Sequence, residues 1–390
     1  MTAPSPSELL ASLISIPSVN PEDTSDPAIT GEQRVAEFLA EELRARGFST
    51  TLDPVHEGRP NVIGEAGDPA ANRTFLIEVH TDTVSVAGMT IPPFDAPLRD
   101  GRIWGRGACD NKGPMAASLC ALTPERVSRL TKAGWRIVYV GAMGEEKGNV
   151  GARHLVQQGG IRANEGLILE PTDLNIVTSH KGVMWFTIHL DGLAGHGSDP
   201  DRAVNAIDGA VATIQLVRDQ KERAATQHSS WLGSPTLSVG RISGGSQVNI
   251  VPDRCSVQFD RRLLPGETAA EILAELEDRL HDLRQQGIIC NFAIEPHEQG
   301  NPFETSKECA LVSRLKASLQ DTGLPLSCVG ASWFSDAGPL AAICDELIVF
   351  GPGSIRQAHT ADEFIEQSEL EKGVKVLEHF FDRLASESER

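Results

Sequence analysis

Four times along this chain, a short apolar run with the character of a β-strand ends at acidic or histidine side chains. Phe75-Leu76-Ile77-Glu78-Val79 leads into His80-Thr81-Asp82, and Trp135-Arg136-Ile137-Val138-Tyr139-Val140 passes through Gly141 to Glu145-Glu146. Gly166-Leu167-Ile168-Leu169 ends at Glu170, and Leu347-Ile348-Val349-Phe350 runs through Gly351-Pro352-Gly353 towards His359. In open α/β sheets, ligands bind beyond the carboxyl ends of the strands. Four strands delivering His, Glu, Glu and His to one edge compose a mixed nitrogen and oxygen ligand set, the chemistry of a metal site.

The stretches between these runs have helical periodicity. Ser5 to Ile16 places Leu9, Leu10, Leu13 and Ile14 on one face and is stopped by Pro17. Thr30-Gly31-Glu32-Gln33 reads as a capping box for a helix with a Val35, Phe38, Leu39 and Leu43 stripe, closed by Gly47. Strands and helices alternate as far as Glu170, the pattern of an α/β layer fold. The texture changes near His180. Met184 to Leu190, Ser234 to Ile242 and Arg254 to Arg261 read as strands, with helices at Ala203 to Val217 and Thr268 to Leu283. A small α+β layer is therefore expected as an insertion, dividing the chain into 1–179, 180–293 and 294–390, the outer pieces forming one larger domain. At 390 residues, the chain exceeds the size at which a single core stops growing.

A net charge of -19 disfavours nucleic acid and anionic membrane surfaces as partners. Seven Cys without a CxxC pair fit reduced thiols better than a disulfide framework. No run approaches the ~18 apolar residues of a membrane helix, and no secretory signal is visible near Met1 to Ser7, so a soluble, cytoplasmic protein is expected.

Each cluster has a bland reading beside its chemical one. A lone His80-x-Asp82 is weak, although Asp82 lies where it could fix the tautomer of His80. In GRGACDNKG, residues 105–113, Asp110 sits in a glycine-rich turn ahead of a helix, where it could equally be a plain helix cap. Glu145-Glu146 is harder to dismiss, because adjacent buried carboxylates repel unless cations or a shared proton relieve them. Neighbours in a regular strand face opposite sides, so both reach one site only in an irregular segment, which Gly141, Gly144 and Gly148 would permit. One could be a ligand and the other a general base on water; a solvated acidic turn is the alternative.

In this order, His80-x-Asp82, GRGACDNKG, Gly144-Glu145-Glu146-x-Gly148, Glu170-Pro171-Thr172 and Ala358-His359-Thr360 resemble the motifs of the M20 family of co-catalytic metallohydrolases. The family includes acetylornithine deacetylases, succinyl-diaminopimelate desuccinylases, aminoacylases and carboxypeptidases, and the resemblance spans nearly the whole chain. It implies an α/β fold in which a large domain with a central mixed sheet flanked by helices carries an inserted α+β lid used in dimerisation. It further implies two divalent metal ions, zinc foremost, with cobalt or manganese acceptable. His80 and Glu170 would hold one, Glu146 and His359 the other, and Asp110 both. Glu145 would be the general base and Asp82 the orienter of His80, with Asp110-Asn111 a cis peptide. In the lid, His196 would steady the oxyanion, in related dimers across to the partner subunit, and Asn249 and Arg262 would grip substrate. A guanidinium suits a carboxylate because it offers two parallel donors. Gly353 would shape the pocket wall.

The implied reaction is hydrolysis of the amide of an N-acyl amino acid or short peptide. Glu145 would take a proton from the attacking water and return it to the leaving amine. The segment FGPGSIRQAHTADEFIE, residues 350–366, most resembles acetylornithine deacetylases. Desuccinylases carry Arg after the Ser-Asp-small sequence, whereas Ser335-Asp336-Ala337 is followed here by Gly338. A desuccinylase, a small metallo-carboxypeptidase or dipeptidase, and a non-catalytic binding protein on the same scaffold are the rival readings. A serine hydrolase lacks its Gly-x-Ser-x-Gly elbow here. His56, His154, His228, His281, His297 and His379 are expected at the surface, and His180 and His189 in packing or hinge roles.

Overall fold

The computed structural model describes residues 4–224 and 231–386, so His228 lies outside the described residues. The chain divides into two compact units. The first comprises Met1–Thr178, Thr305–Val329 and Ser335–Arg390, and the second Ser179–Glu304 and Gly330–Phe334.

The first unit is a mixed sheet flanked by helices. Across it run Ser49–His56, Arg59–Ala66, Trp135–Ala142, Arg73–His80, Ala163–Ile168 and Cys344–Val349, in that spatial order. The first two strands are antiparallel to their neighbours; the last four are mutually parallel. Parallel strands are covered on both faces, which explains why the sequence there is continuously apolar rather than alternating. Seven of the eight residues of Arg73–His80 are buried. Helix Gln367–Ser386 buries Leu370, Val374, Leu377, Phe380, Phe381 and Leu384, and its phenylalanines close on Phe75, with ring centroids 5.6 and 6.3 Å away. Each such ring contributes about 1.5–3 kcal/mol by leaving water.

Helix Pro6–Ile14 opens with a reciprocal capping box between Ser5 and Glu8, and Gly47, at φ 94°, follows the helix Glu32–Ala45 as expected. The box expected at Thr30 does not form. That helix begins at Glu32 with no side-chain cap; Thr30 Oγ1 donates instead to the Pro27 carbonyl, and Gln33 donates to Glu37.

The second unit is a four-stranded antiparallel sheet with the order Thr236–Gly244, Arg254–Leu263, Gly182–Asp191, Asn291–Gly300. Helices Ala206–Ala224 and Ala269–Gln285 cover one face, closing a core around Phe186, Phe259, Leu276 and Leu280. The boundary expected at residue 293 falls inside the strand Asn291–Gly300, which pairs with Gly182–Asp191 from end to end. Its alternating pattern is broken by Pro296, tolerated because this is an edge strand, and the register shifts there. Among the described residues, no helix is long and apolar enough to cross a membrane.

Candidate metal centre

The parallel strands of the first unit all point their carboxyl ends the same way, and the chain beyond each of them carries a candidate ligand. His80 is the last residue of its strand. Glu145 and Glu146 follow Ala142, Glu170 follows Ile168, and His359 lies beyond Val349. Asp110 arrives on the loop before helix Lys112–Ala121, where Gly105 and Gly107 take φ of 145° and 82°, and the Asp110-Asn111 peptide is cis.

These side chains meet as two groups with one shared member. His80 Nε2 lies 2.9 Å from Asp110 Oδ1 and 3.9 Å from Glu170 Oε1. His359 Nε2 lies 3.0 Å from Glu146 Oε2 and 3.4 Å from the other Asp110 oxygen, Oδ2. Within each trio, one potential ligand atom per residue falls within 4.8 Å of the others. Asp110 thus presents one carboxylate oxygen to each trio, while Glu145, also buried, stands beside them.

Asp82 works through both its carbonyl and its carboxylate. Its carbonyl oxygen is 3.0 Å from His80 Nδ1, and its carboxylate approaches the same nitrogen at 3.4 Å. Donation from Nδ1 to either leaves the Nε2 lone pair to face the site. The Asp82 carboxylate also accepts the amides of Glu145 and Glu146, at 3.0 and 3.3 Å, and the Asn20 side chain at 2.8 Å. The acidic pair lies in irregular backbone beyond the strand, where neighbouring side chains need not face opposite sides. Gly144 and Gly148 supply the left-handed conformations, at φ 67° and 89°. Gly141 does not; it lies within the strand, where a Cβ would meet Leu39 at 2.5 Å.

Crowding shifts the acids and bases in opposite directions. Burial, reinforced by Asp110, pushes Glu146 up to about 7. Burial also lifts Glu145 and Glu170 well above the usual carboxylate range, with neighbouring carboxylates adding to it and His80 opposing. Against burial, the two imidazoles hold Asp110 well below that range. Hydrogen bonds to Asp110 and Glu146 raise His359 to about 10. Four carboxyl groups in one place are short of positive charge, and Glu146 Oε1 is buried without a hydrogen-bond partner among the described residues. An orphaned oxygen, a shared carboxylate and two imidazole nitrogens fit a pair of divalent cations such as zinc, cobalt or manganese.

Several supporting residues escaped the sequence. Glu32 Oε1 accepts the Gly144 amide at 3.0 Å, and Asn61 bridges the Met143 amide and the Gly151 carbonyl. Asn149 donates to the buried Asp336 carboxylate at 2.8 Å, and Asn111 donates to the Leu169 carbonyl just ahead of Glu170. Glu363 accepts from the loop that bears Asp110. Glu32, Asn111, Asp336 and Glu363 lay within segments already singled out, though for other reasons; Asn61 and Asn149 did not.

Gly353 also belongs to this unit. At φ 98° its missing Cβ would sit 2.8 Å from Cys109 Sγ, so the turn packs directly on the Asp110 loop. His196, Asn249 and Arg262 belong to the second unit. His196 Nδ1 pairs with Ser198 Oγ at 2.7 Å, and Asn249 is exposed. Arg262 is gripped by Asp260 through two bonds of 3.0 and 3.2 Å, whereas its neighbour Arg261 points inward to Glu267 and Gln220. Of the remaining histidines, His56, His281, His297 and His379 are exposed and His154 is half-buried against Asp53. His180 is buried, but His189 is not a packing residue: it is exposed and paired with Glu295.

Residues 76–383 match the family model described as Peptidase family M20/M25/M40. The chain belongs to this family. It is 30% identical over 377 residues to an acetylornithine deacetylase of Proteus mirabilis, covering 93% of this chain and 92% of that protein. An acetylornithine deacetylase of Photorhabdus laumondii is likewise 30% identical, covering 96% of each. Among solved structures, the aminopeptidase PepT of Bacillus cereus aligns over 97% of each chain with a TM-score of 0.76 at 21% identity. A metallo-carboxypeptidase of Sulfolobus solfataricus covers 98% of this chain and 100% of its own, with a TM-score of 0.74 at 20% identity. The M20 chain is thus an enzyme, a hydrolase of small amide substrates on the family's α/β fold.

Proposed function

We propose that this chain is a divalent-metal-dependent deacylase of N-acyl amino acids, with N-acetylornithine as its preferred substrate. The observation that carries the reading is the pair of ligand trios sharing Asp110, with the buried Glu145 beside them. His80 and Glu170 would hold one cation and Glu146 and His359 the other, with Asp110 shared between them. When bound, the cations supply Lewis acidity, which acidifies water and polarises the amide carbonyl.

Glu145 performs the proton transfers. Burial and neighbouring charge lift its carboxyl, bringing its affinity for a proton closer to that of the groups it serves. It accepts the proton of the attacking water and delivers it to the nitrogen of the departing amine. Asp82 keeps that carboxylate in place by holding the Glu145 and Glu146 amides, and keeps Nε2 of His80 free of a proton once Nδ1 donates. On the resemblance to the family motifs, His196 is assigned to the developing oxyanion, Asn249 and Arg262 to polar groups of the substrate, and Gly353 to the pocket wall. The preference for N-acetylornithine is supported by the two curated relatives and by the 350–366 segment. A homodimer through the second unit is part of the same reading, supported by the edge strand Thr236–Gly244, which pairs on one side only among the described residues and leaves Ile242 half-exposed; light scattering at the monomer mass with full activity removes it.

The test compares kcat/KM on N-acetylornithine, N-succinyl-diaminopimelate, other N-acyl amino acids and dipeptides, with zinc, cobalt or manganese present. N-acetylornithine ranks first, a chelator abolishes turnover, and Glu145→Gln lowers kcat by about 10²–10⁴ with metal content unchanged. No turnover of N-acetylornithine removes the substrate. Near-normal kcat in Glu145→Gln at full metal content removes the base.

A further inference from the structure

The Glu363 carboxylate is completely buried, four residues beyond His359, and the Asp110 loop is hung from it. One oxygen, Oε1, accepts the backbone amides of Cys109 at 2.8 Å and Asp110 at 3.0 Å. The other, Oε2, accepts the Gly107 amide at 3.1 Å and Arg106 Nη1 at 2.6 Å. Its own carbonyl takes the Gly105 amide at 3.0 Å. Every one of these partners is a donor, so both carboxylate oxygens act as acceptors.

The elements around Glu363 fix its position from both sides. Strand Arg102–Trp104 leads directly into the loop, and strand Phe364–Glu366 leaves Glu363; the two pair antiparallel, with Ile103 opposite Ile365. Upstream, Ala361 accepts the Thr90 amide and Asp362 bonds the Thr90 hydroxyl. The segment carrying His359 and the loop carrying Asp110 are thus parts of one hydrogen-bonded assembly, with Glu363 at its centre.

We propose that Glu363 is a positioning residue that sets the shared carboxylate of Asp110 against the segment carrying His359, and thereby fixes the spacing of the two ligand trios. This rests on the metal-centre reading above. Amide bonds to residues 107, 109 and 110 define where the Asp110 backbone lies, and the peptide leaving Glu363 constrains the approach of His359. Removing the acceptors frees the loop without touching any ligand side chain. A generic structural role predicts something different: a loss of stability shared with Arg106, whose guanidinium is the charged partner, and no selective effect on the metal groups.

The experiment measures zinc affinity by competition against a chromophoric chelator, and kcat and KM on the best substrate, for wild type, Glu363→Gln, Glu363→Asp and Arg106→Gln. Folding is checked for each by circular dichroism and gel filtration. Glu363→Gln weakens zinc binding about 10- to 100-fold and lowers kcat with KM little changed, as loss of an outer-shell partner does. Arg106→Gln, which leaves the three amide bonds in place, shifts zinc affinity less than about threefold on that scale. Where Glu363→Gln fails to fold, Glu363→Asp decides: it keeps the charge for Arg106, but its shorter side chain cannot span to the Cys109 and Asp110 amides, so it follows the Gln prediction. Wild-type affinity in a folded Glu363 variant, or equal losses in the Arg106 and Glu363 variants, overturns the proposal. Absence of zinc binding by wild type overturns the metal-centre reading instead.

Discussion

His80 and His180 are both buried, and their surroundings drive them apart. His80 stands among Asp82, Asp110 and Glu170; burial opposes its charge, but those carboxylates raise it well above the ordinary histidine range. His180 packs against the Phe303 ring at 4.8 Å, donates Nδ1 towards the Lys181 carbonyl at 3.0 Å, and leaves Nε2 without a partner among the described residues. Burial pushes it down to about 4. The sign of the resulting pH dependence follows. Between about pH 6.5 and pH 4, the unfolded chain binds the proton that the folded chain refuses, so stability contributed by neutral His180 is complete above 6.5 and lost as the pH falls towards 4. The slope is at most about 1.4 kcal/mol per pH unit. Urea midpoints at pH 7, 5.5 and 4.5 therefore fall more steeply for wild type than for His180→Gln. Parallel slopes would show that His180 titrates normally.

Helix Glu32–Ala45 shows what local reading captures and what it omits. Thr30 and Gln33 have the spacing of a capping box, yet the helix starts one residue later than that box requires. Glu32 turns away from its own helix, pairing with Arg59 and accepting the Gly144 amide ahead of Glu145. Thr30→Ala therefore changes stability by no more than about 0.5 kcal/mol, whereas Glu32→Ala, which strands a largely buried Arg59, costs about 3–5 kcal/mol in denaturant unfolding. A larger loss for Thr30→Ala would restore the cap. The same distinction runs through the site. His80, Glu146, Glu170 and His359 were legible because each follows an apolar strand, and sheet topology carries strand ends to one edge. Asp110 was legible because its glycines announce a tight turn. The site roles of Glu32, Asn20, Asn61, Asn149 and Glu363 were not, since the groups of the site that each one holds lie 62 to 257 residues away and local sequence does not reveal them. The boundary expected at residue 293 misses the strand Asn291–Gly300 for a related reason: that strand is defined by its long register against Gly182–Asp191, a hundred residues earlier in the chain.

At the scale of the whole chain, the two units have separate cores and very different electrostatic burdens. Phe75, Trp135, Phe380 and Phe381 anchor one, and Phe186, Phe259 and Leu276 the other. Both ligand trios, and Glu145 with them, lie in the first unit. Buried carboxyl groups there carry a desolvation penalty that bound cations relieve, and the second unit has no comparable cluster among its described residues. A ligand that binds only the folded state stabilises it by mass action, by about 4 kcal/mol at a thousand times its Kd. Scanning calorimetry of the metal-free protein is accordingly expected to resolve two transitions, and added zinc is expected to raise one of them while leaving the other in place. The transition that moves is the one weakened by Phe75→Ala, a substitution confined to the first core; Phe259→Ala weakens the stationary one. Zinc that shifts both transitions equally, or the one sensitive to Phe259, would place the strongest cation site outside the Asp110 cluster.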